Sequence, residues 1–259
     1  MYKIIIPSYK RKNIFKENTY RLLINDNIDL NKVFIYVSTQ EDYESYKSID
    51  SNLNIIFVDI RGLTNTLNYI HNKFDENEKL VIIHDDIKYF YKLKYDKKLY
   101  NEKKITRKQL GEKIILNLDF VINTVYENMN DCILGGVSCM NNPFFLSNNI
   151  TNDLRLIEGC FWCCINKKNI FGNLKLFQDD IERTLKCYKE NKICRINYIG
   201  YEYLPIGYTG GQDLETIERN KKVKECVEYL NTNYSNYGTI KKNKREGLSF
   251  KLNRIPKII

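Results

Sequence analysis

The stretch Val81-Ile82-Ile83-His84-Asp85-Asp86-Ile87 decides how this chain of 259 residues is read. With Leu80 in front, its β-branched run suits a strand buried on both faces, and that strand delivers two adjacent carboxylates at its end. Neighbouring carboxylates repel unless a cation or hydrogen-bond donor lies beside them. Two readings follow. One is an ordinary solvated turn, where Asp is common; the other is a set of oxygen ligands for Mg2+ or Mn2+ shared with substrate phosphates.

Upstream of this stretch, short apolar runs at residues 3–6, 32–37, 54–58 and 80–83 alternate with amphipathic segments at about 14–26, 41–48 and 63–74. That is the pattern of βα units feeding a parallel sheet. Each run ends in turn-forming residues: Pro7-Ser8-Tyr9, Ser38-Thr39-Gln40, Asp59 to Gly62, and His84-Asp85-Asp86. Ligands of open α/β sheets bind at the carboxyl ends of strands, so these four stretches should share one rim.

Downstream, the pattern predicts a strand over 87–93, a basic connection, and one long helix from about 106 to 128 carrying Ile114, Ile115, Leu118, Val121, Ile122 and Val125 on one face. Further strands are expected over 133–137, 156–165 and 195–203, helices near 180–190 and 214–230, and a loop over 141–152. No repeat or Pro/Gly/Ser-rich linker divides the chain, so we expect a single domain over 1–259, with a first half over 1–93, a second over 94–237 and a basic tail over 238–259. The tail carries Lys241, Lys242, Lys244, Arg245, Lys251 and Arg254, which suits either a solvated end or a strap over phosphates.

A second acidic motif, Gln178-Asp179-Asp180-Ile181-Glu182, opens the helix near 180–190. A carboxylate there caps free backbone N–H groups, and the same position facing a nucleotide site suits a general base. Trp162, the only tryptophan, follows Glu158-Gly159-Cys160-Phe161; it either packs in the core or stacks on a sugar or base. Tyr208-Thr209-Gly210-Gly211 reads as a turn that either lets backbone approach a ligand or simply precedes the last helix.

Four stretches, taken in order, resemble GT-A glycosyltransferases, and in particular the viral and phage TET-associated group linked to glycosylation of hydroxymethylated pyrimidines in DNA. They are Ile4-Ile5-Ile6-Pro7-Ser8-Tyr9-Lys10-Arg11, Gly62-Leu63-Thr64-Asn65-Thr66-Leu67-Asn68, His84-Asp85-Asp86, and Asp179-Asp180-Ile181-Glu182 with Leu185. The resemblance implies a Rossmann-like α/β fold with a mixed, mainly parallel sheet flanked by helices, and a nucleotide-binding first half. It implies that Pro7, Ser8, Tyr9 and Arg11 hold the donor nucleotide, with Tyr9 stacking on its base. By the same resemblance Asn65 and Asn68 contact ribose or diphosphate, Asp85 contacts ribose or donor sugar, and Asp86 holds Mn2+ or Mg2+. His84 stands beside them where relatives often have Asp. Asp180, with Asp179, is implied as the base that deprotonates an acceptor hydroxyl, and the Trp162 region as acceptor-binding. Two departures stand out: Leu67 replaces an Arg frequent in the group, and both histidines, His71 and His84, lie in the first half, leaving no late His to join the metal.

Composition sets the limits around that reading. At 43% hydrophobic and 28% charged residues the chain can bury a core, which excludes a disordered or collagen-like class. The formal charge of +9 hints at an anionic partner, but 31 of the 41 basic residues are Lys and alanine is absent, a pattern that AT-rich codons produce unaided. No apolar run approaches a bilayer span and no export signal is visible, so we expect a soluble cytoplasmic protein with free thiols. Cys160, Cys163 and Cys164 offer one knuckle where a zinc site normally needs two.

The leading expectation is an inverting transferase that takes a nucleotide sugar, a UDP-sugar first among them, and modifies hydroxymethylated pyrimidines in viral or phage DNA. A glycan, protein or small molecule as acceptor is the alternative within the same chemistry. A non-catalytic nucleic-acid-binding module on a GT-A-like fold is the alternative outside it.

Overall fold

The computed structural model describes residues 1–138, 142–190, 192–204, 216–243 and 247–254. Its first part runs β1 (Lys3–Ser8), α1 (Lys12–Phe15), a π-helical turn (Lys16–Tyr20), α2 (Arg21–Asn25), β2 (Val33–Val37), α3 (Gln40–Lys47), β3 (Asn54–Phe57), α4 (Leu63–Lys73) and β4 (Lys79–Ile83). The middle continues with β5 (Ile87–Leu93), α5 (Lys97–Asn101), α6 (Arg107–Leu110), β6 (Lys113–Leu116), α7 (Leu118–Met129), β7 (Leu134–Ser138) and β8 (Ile150–Thr151). The last part holds β9 (Phe161–Ile165), α8 (Lys168–Phe171), α9 (Asp179–Glu190), β10 (Ile193–Tyr203), α10 (Thr216–Asn233), β11 (Gly238–Asn243) and β12 (Gly247–Leu252).

One sheet follows the order β3-β2-β1-β4-β9-β7-β10-β5-β6, with β8 added on β10. β3, β2, β1, β4, β7, β10 and β6 run one way, while β9, β5 and β8 oppose them. The sheet is therefore mixed and mainly parallel, as expected. Pro7 is tolerated inside β1 because the β4 pairing stops at Ile5, which leaves that end of the strand with a partner only in β2.

Alternation along the strands builds two apolar layers. Ile4, Ile6, Val81 and Ile83 pack with Phe15, Leu22, Tyr46 and Val121 on one face; Ile5, Leu80, Ile82 and Trp162 pack with Leu67, Ile70 and Phe171 on the other. Each such side chain, fully withdrawn from water, contributes roughly 1.5–3 kcal/mol. A third cluster joins α9 to α10 and the β11–β12 hairpin through Ile181, Leu185, Val227, Leu230 and Phe250.

The long helix expected over 106–128 is in fact a short helix, a strand and a helix. Thr106 and Gln109 form a capping box that opens α6, and the helix ends at Gly111. The β-branched run after it pairs antiparallel with β5, Ile115 opposite Tyr91. The helix restarts only where Asn117 accepts from Asp119 N at 2.9 Å and Asp26 accepts from Leu118 N at 2.6 Å. Ile114 and Ile115, expected on a buried helix face, are 40% and 58% exposed on the outermost strand. The strand expected over 156–165 begins only at Phe161, and the 238–259 tail folds back as a hairpin over its described part. Cys139, residues 208–211, 214–215 and 244–245 lie outside the described residues.

Cys163 and Cys164 sit next to each other on β9 and so face opposite layers, one in each core cluster. The C-x-x-C-C run therefore cannot converge on one ion, and among the described residues every cysteine is a free thiol.

His71 is buried in the second layer, stacked between Trp162 at 5.4 Å and Phe171 at 5.0 Å. Its Nδ1 donates to Asn166 Oδ1 at 2.8 Å, because Asn166 Nδ2 is committed to the carbonyls of His71, Phe74 and Asp75. Burial pushes its pKa down to about 4, against the support of Asn166. An unfolded chain binds this proton at about 6.5, so His71 contributes stability above pH 6.5 that is lost as the pH falls toward 4. The contribution amounts to about 3 kcal/mol. In urea titrations from pH 7.5 to 4.5, the stability difference between the native chain and His71→Leu should shrink by that amount, and a constant difference would contradict it.

Candidate functional site

The β4 turn is held from three sides. The main chain enters it with His84 N donating to Cys160 O at 2.9 Å, which fastens it to the start of β9. Thr19, on the π-helical turn, donates to His84 O at 2.7 Å and accepts from Ile87 N at 3.1 Å. The extra residue of a π turn often serves a site in this way, and here it brings a buried hydroxyl against the bend. On the far side Leu204 N donates to Asp86 O at 3.3 Å.

The two carboxylates are bridged by one guanidinium. Arg11 Nη1 lies 2.8 Å from Asp85 Oδ1, and Nη2 lies 3.2 Å from Asp86 Oδ2. Ser8 Oγ donates to the other oxygen of Asp85 and in turn accepts from the Tyr46 hydroxyl at 2.6 Å. Burial raises the Asp85 pKa to about 6, with Arg11 and Ser8 pulling the other way and Asp86 adding to the rise. Asp86 Oδ1 is buried and has no hydrogen-bond partner among the described residues.

Facing this turn are Glu158 and the first turn of α9. Burial raises the Asp180 pKa to about 7, with Asp179 and Glu158 adding to it while Arg183 and the Ile181 N–H oppose it. Asp180 Oδ1 accepts from Ile181 N at 2.9 Å. Asp179 is held differently: the fully buried Arg183 donates to its Oδ2 at 2.6 Å and rests on the Trp162 ring at 4.1 Å. His84 lies within electrostatic reach of Asp86 and Asp179, and its pKa is lowered, burial outweighing both carboxylates. Glu158 Oε2 accepts from the Tyr201 hydroxyl at 2.9 Å, and Cys160 adjoins Asp86, Glu158 and Asp180.

Several expected positions have partners within the chain. Arg11 grips the acidic motif itself, and both Asp85 oxygens are engaged by Arg11 and Ser8. Asn68 locks the segment before α9, its amide donating to Leu174 O at 2.7 Å and accepting from Leu174 N at 2.8 Å. Thr64 donates to Leu176 O at 3.0 Å, and Glu182 Oε2 accepts from Lys175 N and Leu176 N, both at 2.7 Å. Asn65 is exposed and donates to Arg61 O at 3.0 Å. Tyr9 is half-buried beside the rim, with Lys10 Nζ 5.1 Å from its ring. Trp162, expected at an acceptor, is fully buried beneath His71, Phe171 and Arg183, because β9 runs through the middle of the sheet. Sequence reasoning missed Arg183, Thr19 and Tyr201; only Arg183 left a signal, standing one helical turn after Asp179 on the apolar face.

No known protein family matches the sequence, and no curated protein does. The structure does resemble solved structures. A mannosyltransferase from Pyrobaculum calidifontis, in complex with GDP-Man and Mn2+, superposes with a TM-score of 0.53 at 13% identity over 89% of this chain. This chain spans 63% of that protein's length. Glucosyl-3-phosphoglycerate synthase from Mycobacterium tuberculosis, in complex with Mn2+ and UDP-Glc, gives 0.53 at 8% identity over 96% of this chain and 86% of the other. The chain has the GT-A fold.

Within this GT-A chain the donor set for a divalent ion is small. No group of three His, Cys, Asp or Glu side chains converges among the described residues. What the acidic bend offers is one orphaned carboxylate oxygen, on Asp86, which fits an Mg2+ or Mn2+ ion that draws its remaining ligands from water and substrate phosphates.

Arg11→Met should expose the repulsion that the bridge relieves, costing about 3 kcal/mol of folding stability at neutral pH. Asp85→Asn in the same chain should restore most of it. Urea denaturation of the four chains of this cycle measures the coupling, and purely additive losses would contradict the bridge.

Proposed function

We propose that this chain transfers a sugar from a nucleotide diphosphate donor, a UDP-sugar first among the candidates, to an acceptor hydroxyl with inversion of the anomeric centre. The observation that carries the proposal is the gathering at one rim of a buried, unsatisfied Asp86 oxygen and the Asp179–Asp180 pair at the start of α9, with His84 in electrostatic reach of Asp86 and Asp179 and Cys160 in reach of Asp86 and Asp180. The GT-A fold, shared with structures in complex with GDP-Man and UDP-Glc, supports it. The acceptor we favour is a hydroxymethylated pyrimidine of viral or phage DNA, on the strength of the four sequence motifs; it places the reaction in the host-cell cytoplasm. Such a base must be flipped out of the duplex or presented single-stranded.

The chain's own groups divide the work. A divalent ion on Asp86 would supply charge neutralisation for the diphosphate. Arg11 keeps Asp85 and Asp86 fixed beside it. Asp180 accepts the proton of the attacking hydroxyl while the acceptor's oxygen forms the bond to the anomeric carbon, and the bond from that carbon to the diphosphate oxygen breaks with its electron pair leaving on the phosphate. Arg183 holds Asp179 and with it the register of the first turn of α9. No helix among the described residues is long and apolar enough to cross a membrane.

The test is a panel of sugar nucleotides with Mn2+, scored by nucleotide release and by mass shift on hydroxymethylated DNA. Asp180→Asn should keep donor affinity and lose roughly 10²–10⁴-fold in transfer rate. Asp86→Ala should remove the Mn2+ dependence of donor binding in calorimetry. Because the base works deprotonated, kcat/KM should fall as the pH drops below about 7, and that limb should vanish in Asp180→Asn. Donor hydrolysis without DNA modification would move the acceptor to a glycan, protein or small molecule. No turnover with any donor would defeat the reading.

A further inference from the structure

The β11–β12 hairpin has two unlike faces. Thr239 pairs with Lys251, Ile240 with Phe250 and Lys241 with Ser249. Alternation then puts Ile240, Leu248, Phe250 and Leu252 on the face toward α10, and Thr239, Lys241, Ser249 and Lys251 on the other. Lys241 and Lys251 are diagonal neighbours with Cβ atoms about 7 Å apart. Arg254, exposed and just past the hairpin three residues after Lys251, lies within electrostatic reach of it.

Crowded like charges on a strand pair are destabilising, and no carboxylate among the described residues relieves these. None of the three cations forms an ion pair among the described residues. On the helix beneath, Lys222 pairs with Glu218 at 3.1 Å and Lys224 with Glu228 at 3.8 Å, each one turn away, while Lys221 has no ion pair among the described residues. What sets the hairpin apart is the crowding of its cations on one face, where Lys241 and Lys251 are diagonal neighbours.

We infer that the outer face of the hairpin binds the phosphodiester backbone of a nucleic acid through Lys241, Lys251 and Arg254, with the Thr239 and Ser249 hydroxyls between them. Three cations and two hydroxyls on one ribbon match regularly spaced phosphates and read no base sequence. A membrane surface fits less well, because Leu248, Phe250 and Leu252 pack inward with α10 and leave only the part-exposed Ile240 on the hairpin's own apolar face, away from the cations. The inference bears on the nucleic-acid half of the proposed function and is independent of sugar transfer.

Two double variants with the same change in net charge test it: Lys241→Gln with Lys251→Gln, and Lys222→Gln with Lys224→Gln. Binding of a fluorescein-labelled 20-nucleotide single strand and of its duplex is followed by anisotropy from 50 to 300 mM NaCl, with light scattering recorded on each sample. The hairpin variant should lower the slope of log K against log salt by about 1.4 on the single strand and about 1.8 on the duplex. The α10 variant should keep the native slope. Equal losses in both variants would mean that only overall charge matters, and an unchanged slope in the hairpin variant would remove the site. Aggregation of the hairpin variant with the slope unchanged would show that the lysines only guard the strand edges. Tighter binding to 30% phosphatidylserine vesicles than to either oligonucleotide would also overturn the inference. Sugar-nucleotide turnover measured on the same samples reports separately on the transferase reading, since neither pair touches the Asp86–Asp180 rim.

Discussion

Two carboxylates at the end of a buried strand cannot stand side by side in a poorly hydrated site without help, and the Arg11 guanidinium answers both at once. The rest of the rim is arranged around that bridge. Arg11 comes from the loop after β1, where Lys10 takes a left-handed conformation (φ 54°) and its N–H is held by Asp42 of α3 at 3.0 Å. Ser8 takes the remaining Asp85 oxygen with Tyr46 behind it. With Asp85 fully engaged, Asp86 is the carboxylate left holding an unused oxygen, and the asymmetry separates a structural acid from one free for chemistry.

A second buried arginine does the same for the opposite wall. Arg183 sits under Asp179 and over Trp162, which itself stacks on His71. That column runs from the middle of the sheet to the first turn of α9, and Asn68, Thr64 and Glu182 fasten the segment just before it. Asp180 therefore stands on a helix start anchored both beneath and behind. Such rigidity is what the proposed role of Asp180 as base requires, since a base must meet its hydroxyl within a fraction of an ångström.

Much of this was legible in the residues, for definite reasons. The four upstream strands announced themselves because β-branched runs ended at Pro, Ser, Asp and Gly, and the rim followed from the rule that ligands gather at strand ends. Lys113–Leu116 was misread because two adjacent isoleucines fit a helix face as well as a hairpin edge, and only the pairing with β5 chooses between them. Trp162 shows a different limit: whether an aromatic is core or contact depends on the position of its strand in the sheet, and the insertion of β9 between β4 and β7 leaves no local mark. The same holds for Thr19, whose π turn is visible only once the β4 bend lies against it.

The place of β9 also governs how the chain assembles. β3, β2, β1 and β4 are contributed by the first 83 residues, yet the outer side of β4 is closed only by residues 161–165. While a ribosome is still making the intervening stretch, Leu80, Val81, Ile82 and Ile83 form the open edge of a growing sheet, the kind of edge that recruits strands from other chains. A strand buried over residues 80–83 in the finished protein is thus an open edge in its nascent form. The acidic bend that ends it takes its final shape only after Cys160 has emerged to hold the His84 N–H.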